Sequence, residues 1–306
     1  MRVVALHPDV LIATSAIWQT NCVLLRGSSE GDLPPEESAA VEEGSSESPK
    51  RPGSESFVVD SPILPEELDA LSTLVEQAEF PTPSGLLATH GDWDHLLGRL
   101  AFPGLALGCA ESTAARMRAK PGEAQRELRA FDEAHLIERP RPLALGAVQA
   151  LSVPGRCGIG GHELELYPAA GHTEDGMVIW VPWGRVLLAG DYLSAVEIPV
   201  VGSLAGAGGS SIASATESSG GLNAYLATLD RLERLVQNAA HVVPGHGPIL
   251  SSERALAVIQ EDRAYLTALS AGRGETELPV GRRGPAQRVA HAENCARILR
   301  HTSTTA

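Results

Sequence analysis

Cysteine is scarce in this 306-residue chain: Cys22, Cys109, Cys157 and Cys295 are its four examples, and no two form a C-x-x-C pair. Such spacing excludes a disulfide framework and a cysteine zinc knuckle, so reduced, buried thiols are expected. Positive charge is also short, with 24 Lys and Arg against 38 Asp and Glu, a net charge of −14. That balance argues against general affinity for nucleic acid or an anionic membrane. No apolar run approaches the length of a membrane span. The first residues, Met1 to Asp9, interrupt their hydrophobicity with His7, Pro8 and Asp9 and make a poor signal peptide, so a cytoplasmic location is expected. Internal repeats are missing as well.

Two stretches lack the apolar residues needed for a core. Between Gly27 and Ser54 the chain is rich in Ser, Pro and Gly and has no aromatic residue. From 30 to 55 it holds Glu30, Asp32, Glu36, Glu37, Glu42, Glu43, Glu47 and Glu55 against Lys50 and Arg51. A disordered insertion at 27–54, between two strands, is expected. The Gly, Ser and Ala stretch from Gly202 to Gly221 reads equally well as a mobile lid or as a linker.

What remains is ordinary for a globular chain, with 43% hydrophobic residues and enough length for a large core. Strand-like runs occur near Leu11–Ala13, Asn21–Arg26, Phe57–Asp60, Leu86–Thr89, Val148–Val153, Glu163–Tyr167, Met177–Val181 and Val186–Ala189. Helical periodicity marks Pro65–Ala78, Glu111–Ala119, Glu123–Ala134, Leu222–Gln237, Glu253–Ala271 and Ala286–Arg300. Interspersed strands and helices predict an α/β or α+β chain.

The segment Thr89-His90-Gly91-Asp92-Trp93-Asp94-His95 places four metal-capable side chains within six residues, just after an apolar run. Imidazole and carboxylate suit divalent zinc, iron or manganese. Three further candidates share that setting, each in a glycine-containing turn beside a strand-like run. His172 lies in Ala169-Ala170-Gly171-His172-Thr173, Asp191 ends Val186-Leu187-Leu188-Ala189-Gly190, and His246 lies in Val242-Val243-Pro244-Gly245-His246-Gly247. His241 reads as a strand-start residue. His7, His135, His162, His291 and His301 lack partner motifs. Asp60 reads either as a strand cap or as a support for a metal ligand. Trp93 and Tyr192 are candidate pocket walls, and Trp18 is placed on a hairpin above them, with core packing the alternative for each.

In order and context these motifs resemble the metallo-β-lactamase fold superfamily of metallohydrolases, whose pattern is H-x-H-x-D-H, then a His in G-H-T, an Asp after a buried strand, and a His in P-G-H. The second His of the first motif is Asp92 here. The resemblance implies an α+β fold, a four-layer αββα sandwich, spanning residues 1–270, with 271–306 a C-terminal helical extension. It also implies two divalent ions, zinc first, with iron or manganese as alternatives. His90, Asp92 and His172 would bind one ion and Asp94, His95 and His246 the other, with Asp191 bridging. A water shared by such a pair is acidified enough to supply hydroxide near neutral pH, and Asp94 can orient it and protonate a leaving group.

The implied activity is hydrolysis of a small ester, lactone, thioester or amide, with a small-molecule substrate and no nucleic-acid or membrane partner. The long C-terminal helices are compatible with a homodimer. Asp92 lowers the charge of the ligand set by one unit relative to a His, which favours harder ions or weaker Lewis acidity. Two other readings use the same fold: a mononuclear iron-dependent sulfur oxygenase, and a non-catalytic scaffold.

Overall fold

The computed structural model describes residues 1–28, 54–202, 217–272 and 276–302. The expected insertion at 27–54 and the lid-or-linker stretch at 202–221 lie largely outside the described residues.

Thirteen strands and seven helices follow one another along these residues. The first half contains β1 (Arg2–His7), β2 (Val10–Thr14), β3 (Asn21–Gly27), β4 (Glu55–Val59), α1 (Pro65–Gln77), β5 (Gly85–Leu87), α2 (Gly98–Ala101), β6 (Leu107–Ala110), α3 (Glu111–Ala119), α4 (Glu123–His135) and β7 (Val148–Leu151). The second contains β8 (Gly155–Ile159), β9 (His162–Pro168), β10 (Met177–Val181), β11 (Val186–Gly190), α5 (Glu217–Val236), β12 (His241–Pro244), β13 (Leu250–Ser251), α6 (Ser252–Ser270) and α7 (Pro285–Thr302). Strands β1 to β7 form one sheet in sequence order, and the other runs β13-β12-β11-β10-β9-β8. Both are mixed: β4, β5, β6 and β7 pair in parallel, as do β11 and β12. No described helix is long and apolar enough to cross a membrane.

Three apolar layers hold this together, and strand periodicity explains them. Side chains of a strand alternate between faces, so a strand buried on both sides reads as a continuous apolar run. In β3, Val23 and Leu25 face the layer between the sheets, while Cys22 and Leu24 face an outer layer with Leu68 and Leu71 of α1 and Leu128 of α4. In β11, Val186 and Leu188 enter the inter-sheet layer, and Leu187 and Ala189 pack with Leu229 of α5 and Val258 of α6. Helices thus cover both outer faces, giving the four-layer αββα order.

Strand positions expected from the sequence are occupied, with ends shifted by one or two residues: the run at Leu86–Thr89 is strand only at Gly85–Leu87, and that at Val148–Val153 only at Val148–Leu151. Strands β1, β6, β8 and β13 have no counterpart among the strand-like runs. Gly155 and Gly158 obscure β8, whose backbone is fixed by its antiparallel partner β9. His241 does start β12. Cys22 and Cys109 are buried, whereas Cys157 and Cys295 are only half-buried, and none of the four is in a disulfide. Helix α7 packs on α5 and α6. Asn294 accepts from Val201 N and donates to Pro199 O, at 3.0 and 2.7 Å.

Ile179 is fully buried between the sheets. Ile179→Ala is expected to lower stability by about 2–5 kcal/mol through lost contact and cavity formation, read as a reduced urea midpoint with unchanged slope.

Candidate metal centre

Parallel pairing of β11 with β12 brings the C-terminal ends of both strands to one edge of the second sheet. Asp191 follows the first and His246 the second, in turns tied by a Gly245 N to Gly190 O hydrogen bond of 2.6 Å. A Cβ on Gly245 would lie 2.1 Å from Asp191 Oδ1 and 2.9 Å from His95 Cε1, so only glycine fits there. The first sheet arrives at the same place. Met177 N donates to Thr89 O, Asn21 N to Gly245 O, and Asn21 Nδ2 to both Pro244 O and Gly247 O. Residues 90–95 leave β5 as a loop and a short 3-10 turn, and His172 comes from the turn between β9 and β10.

All seven candidates from the sequence meet at this edge. Their ligand-capable atoms fall into three overlapping groups: His90, Asp92 and His172; Asp94, His95 and His246; and His90, His95 and Asp191. Asp191 lies between the first two. Its Oδ2 is 3.2 Å from His172 Nε2 and 3.7 Å from His90 Nε2. Its Oδ1 is 3.1 Å from His95 Nε2 and 3.4 Å from His246 Nε2. Asp92 Oδ2 is 3.6 Å from both His90 Nε2 and His172 Nε2, and Asp94 Oδ2 is 3.2 Å from His246 Nε2.

This donor set fits divalent ions. Bonds of about 2.1 Å at tetrahedral angles put ligand atoms about 3.4 Å apart, which is the spacing seen. Buried His90 Nε2, His95 Nε2, His172 Nε2 and Asp191 Oδ1 have no hydrogen-bond partner, the condition expected of atoms reserved for an ion. The other nitrogens of three rings are engaged from behind. His90 Nδ1 lies 3.2 Å from Thr89 Oγ1, His95 Nδ1 lies 3.0 Å from Asp60 Oδ2, and His246 Nδ1 lies 3.3 Å from Thr20 Oγ1. Such contacts fix ring orientation and the nitrogen presented to an ion. Asp60 therefore does support a candidate ligand, and it also accepts from Thr89 N and Oγ1.

The electrostatics are those of crowded, buried carboxylates. Burial pushes the Asp191 carboxyl up, but His246, His95 and His90 outweigh it and hold it well below the usual range. Burial also raises Asp92, against larger lowering by His172, His90 and Arg116. Conversely, burial lowers His172, yet Asp191 and Asp92 bring it up to about 10. His95 and His246 are raised in the same way, chiefly by Asp191.

Sequence reasoning missed three neighbours. Arg116 of α3 pairs with Asp92 and Asp175, and the half-buried Glu197 carboxyl, raised first by burial, feels His246, Asp191 and Asp94. Asp175 follows His172 by only three residues and was within reach of a motif search. Nothing in the sequence singles out Arg116. Tyr192 is buried and lines the small cavity beside His90, His172 and Asp191, and its hydroxyl accepts from His172 N at 3.0 Å, so it also positions a candidate ligand. Trp93 packs on Phe131 in the outer layer, with ring centroids 4.7 Å apart, and takes the core role. Trp18 is the exposed member of that aromatic group, 6.3 Å from the His246 ring.

Because His172 is raised above its ordinary value of about 6.5, its proton contributes stability to the metal-free protein fully below that pH, and this is lost as pH rises toward 10. An ion held by His172 would have to displace that proton. Zinc binding at pH 7 is therefore expected to release protons and to strengthen as pH rises, measured by titration calorimetry in buffers of different ionisation enthalpy.

The family model of the metallo-beta-lactamase superfamily matches residues 77–246, a stretch containing all seven candidate ligands. The metallo-beta-lactamase type 2 of Bacillus sp. (strain 170) is 29% identical over 84 residues, which span 28% of this chain and 28% of that relative. A metallo-beta-lactamase family protein from Thermus thermophilus superposes with a TM-score of 0.63 at 19% identity, covering 98% of this chain and 95% of that one, a likeness of fold. With the family match spanning more than half of the chain and the four-layer architecture in agreement, the protein belongs to the metallo-beta-lactamase superfamily.

Proposed function

We propose that the protein is a metal-dependent hydrolase of small esters, lactones, thioesters or amides, with two divalent ions at this edge. His90, Asp92 and His172 hold one ion, Asp94, His95 and His246 the other, and Asp191 is shared. The observation that carries this reading is the division of Asp191: one carboxylate oxygen faces each histidine group. Zinc, iron and manganese all suit the mixed imidazole and carboxylate donors.

Bound ions supply Lewis acidity and water acidified to near neutral pH. The chain does the rest. Asp94 is buried beside His95 and His246, and these imidazoles outweigh burial to keep its carboxyl below the usual range. An ionised Asp94 takes up the proton of the attacking water and returns it to the leaving group. Asp60, Thr89 and Thr20 hold the rings still, so little reorganisation accompanies the reaction.

Elemental mass spectrometry of protein purified without added metal is expected to give about two zinc, iron or manganese ions per chain, falling toward one in Asp92→Ala. Protein without metal would overturn the reading, and a single iron in both proteins would replace it with the oxygenase. In an ester and lactone screen, Asp94→Asn should lower kcat by about 10²–10⁴-fold.

A further inference from the structure

The first trio contains a carboxylate where the family pattern has an imidazole, and the two groups make different demands. A neutral imidazole presents one lone pair in one direction. A carboxylate presents two oxygens and a full negative charge. A buried carboxylate can therefore twist to offer both oxygens, and its charge adds to those already crowded at the site.

Arg116 answers both demands. It is buried on α3, and its Nη2 lies 2.8 Å from Asp92 Oδ1. The other oxygen, Oδ2, faces His90 Nε2 and His172 Nε2. The second arm of the guanidinium, Nη1, donates to Asp175 Oδ1 at 2.9 Å, and Asp175 Oδ2 accepts from Gly91 N at 3.0 Å. Glu123 Oε2 accepts from the guanidinium at 3.3 Å on its outer side. One planar group thus ties the Asp92 carboxylate and, through Asp175, the backbone next to it, to the same helix. A lysine has no such fork.

Gly91 belongs to the same arrangement. A Cβ there would lie 3.2 Å from Asp175 Oδ2 and 3.5 Å from Arg116 Nη1, crowding the bridge where the loop passes closest.

We propose that Arg116 is the positioning residue that makes Asp92 a single-oxygen ligand in the first trio, by occupying Asp92 Oδ1 and balancing its charge while Asp175 fixes the loop. The proposal rests on the two-ion reading above. Arg116 touches no substrate in this role and acts only through Asp92.

Removing Arg116 alone would leave Asp175 buried without its cation, a change that endangers folding. The double substitution Arg116→Met with Asp175→Asn avoids this, because the net charge is unchanged and the new amide oxygen still accepts from Gly91 N. Zinc titrations would compare wild type, this double variant and the double variant carrying Asp92→His, with the melting temperature of each metal-free protein read alongside. The weaker of the two zinc ions is expected to lose about 10–100-fold in affinity in the double variant, the range for removing a partner of a metal ligand. Adding Asp92→His should recover most of that loss, because an imidazole needs neither restraint nor counter-charge.

Unchanged or tighter zinc binding in the double variant would overturn the proposal, as would failure of Asp92→His to restore it at an unchanged melting temperature. If the double variant does not fold, Arg116→Lys keeps the charge but not the fork. It should show the same loss of one ion, and wild-type zinc binding in that variant would be equally fatal. Wild-type protein that binds no zinc, iron or manganese would overturn the functional reading itself. Two ions in wild type with no effect of the substitutions would overturn this inference alone.

Discussion

Five carboxylates, those of Asp60, Asp92, Asp94, Asp175 and Asp191, are gathered at the edge where the two sheets meet, and Arg116 pairs with two of them, Asp92 and Asp175. Charge of one sign removed from water is costly unless cations or protons balance it. In the protein without ions, His95, His172 and His246 hold their protons to well above the ordinary range, which supplies part of that balance. Divalent cations would supply more of it and displace the protons. The rest of the local structure serves to keep these groups together despite their repulsion.

Rigid backbone makes that crowding possible. The inter-sheet layer is formed by Val23, Leu25, Ile179, Leu188 and their neighbours, and it fixes the separation of the two sheets. At the site end, hydrogen bonds replace apolar contacts. Asn21 reaches across to the chain around His246, and Thr89 O accepts from Met177 N. The loops bearing the candidate ligands His90 and His246 are thus pinned across the two sheets within a residue or two of each. Gly245 lets the final turn pass against Asp191 without a side chain in the way.

Behind the facing atoms lies a second set of polar groups. Asp60, Thr89 and Thr20 each engage the rear nitrogen of a histidine, the Tyr192 hydroxyl accepts from the backbone of His172, and Arg116 holds Asp92. These groups come from strands, turns and one helix far apart in the chain. Orientation by such partners raises the basicity of a metal ligand and limits its reorganisation.

The sequence by itself determined most of the elements and the seven candidate ligands, because both are local properties. Apolar runs such as Val186–Ala189 carry their own strand signal, and glycine turns mark where those runs stop beside His172, Asp191 and His246. Short or glycine-bearing strands such as β6 and β8 gave no such signal, since pairing with neighbours is what holds them extended. Only the tertiary structure decided how Asp191 divides its two oxygens between the histidine groups, that Trp93 belongs to the core, and that Arg116 meets Asp92. Those outcomes depend on distances between segments separated by up to 156 positions, as His90 and His246 are, which packing of the two sheets sets and local residue pattern does not.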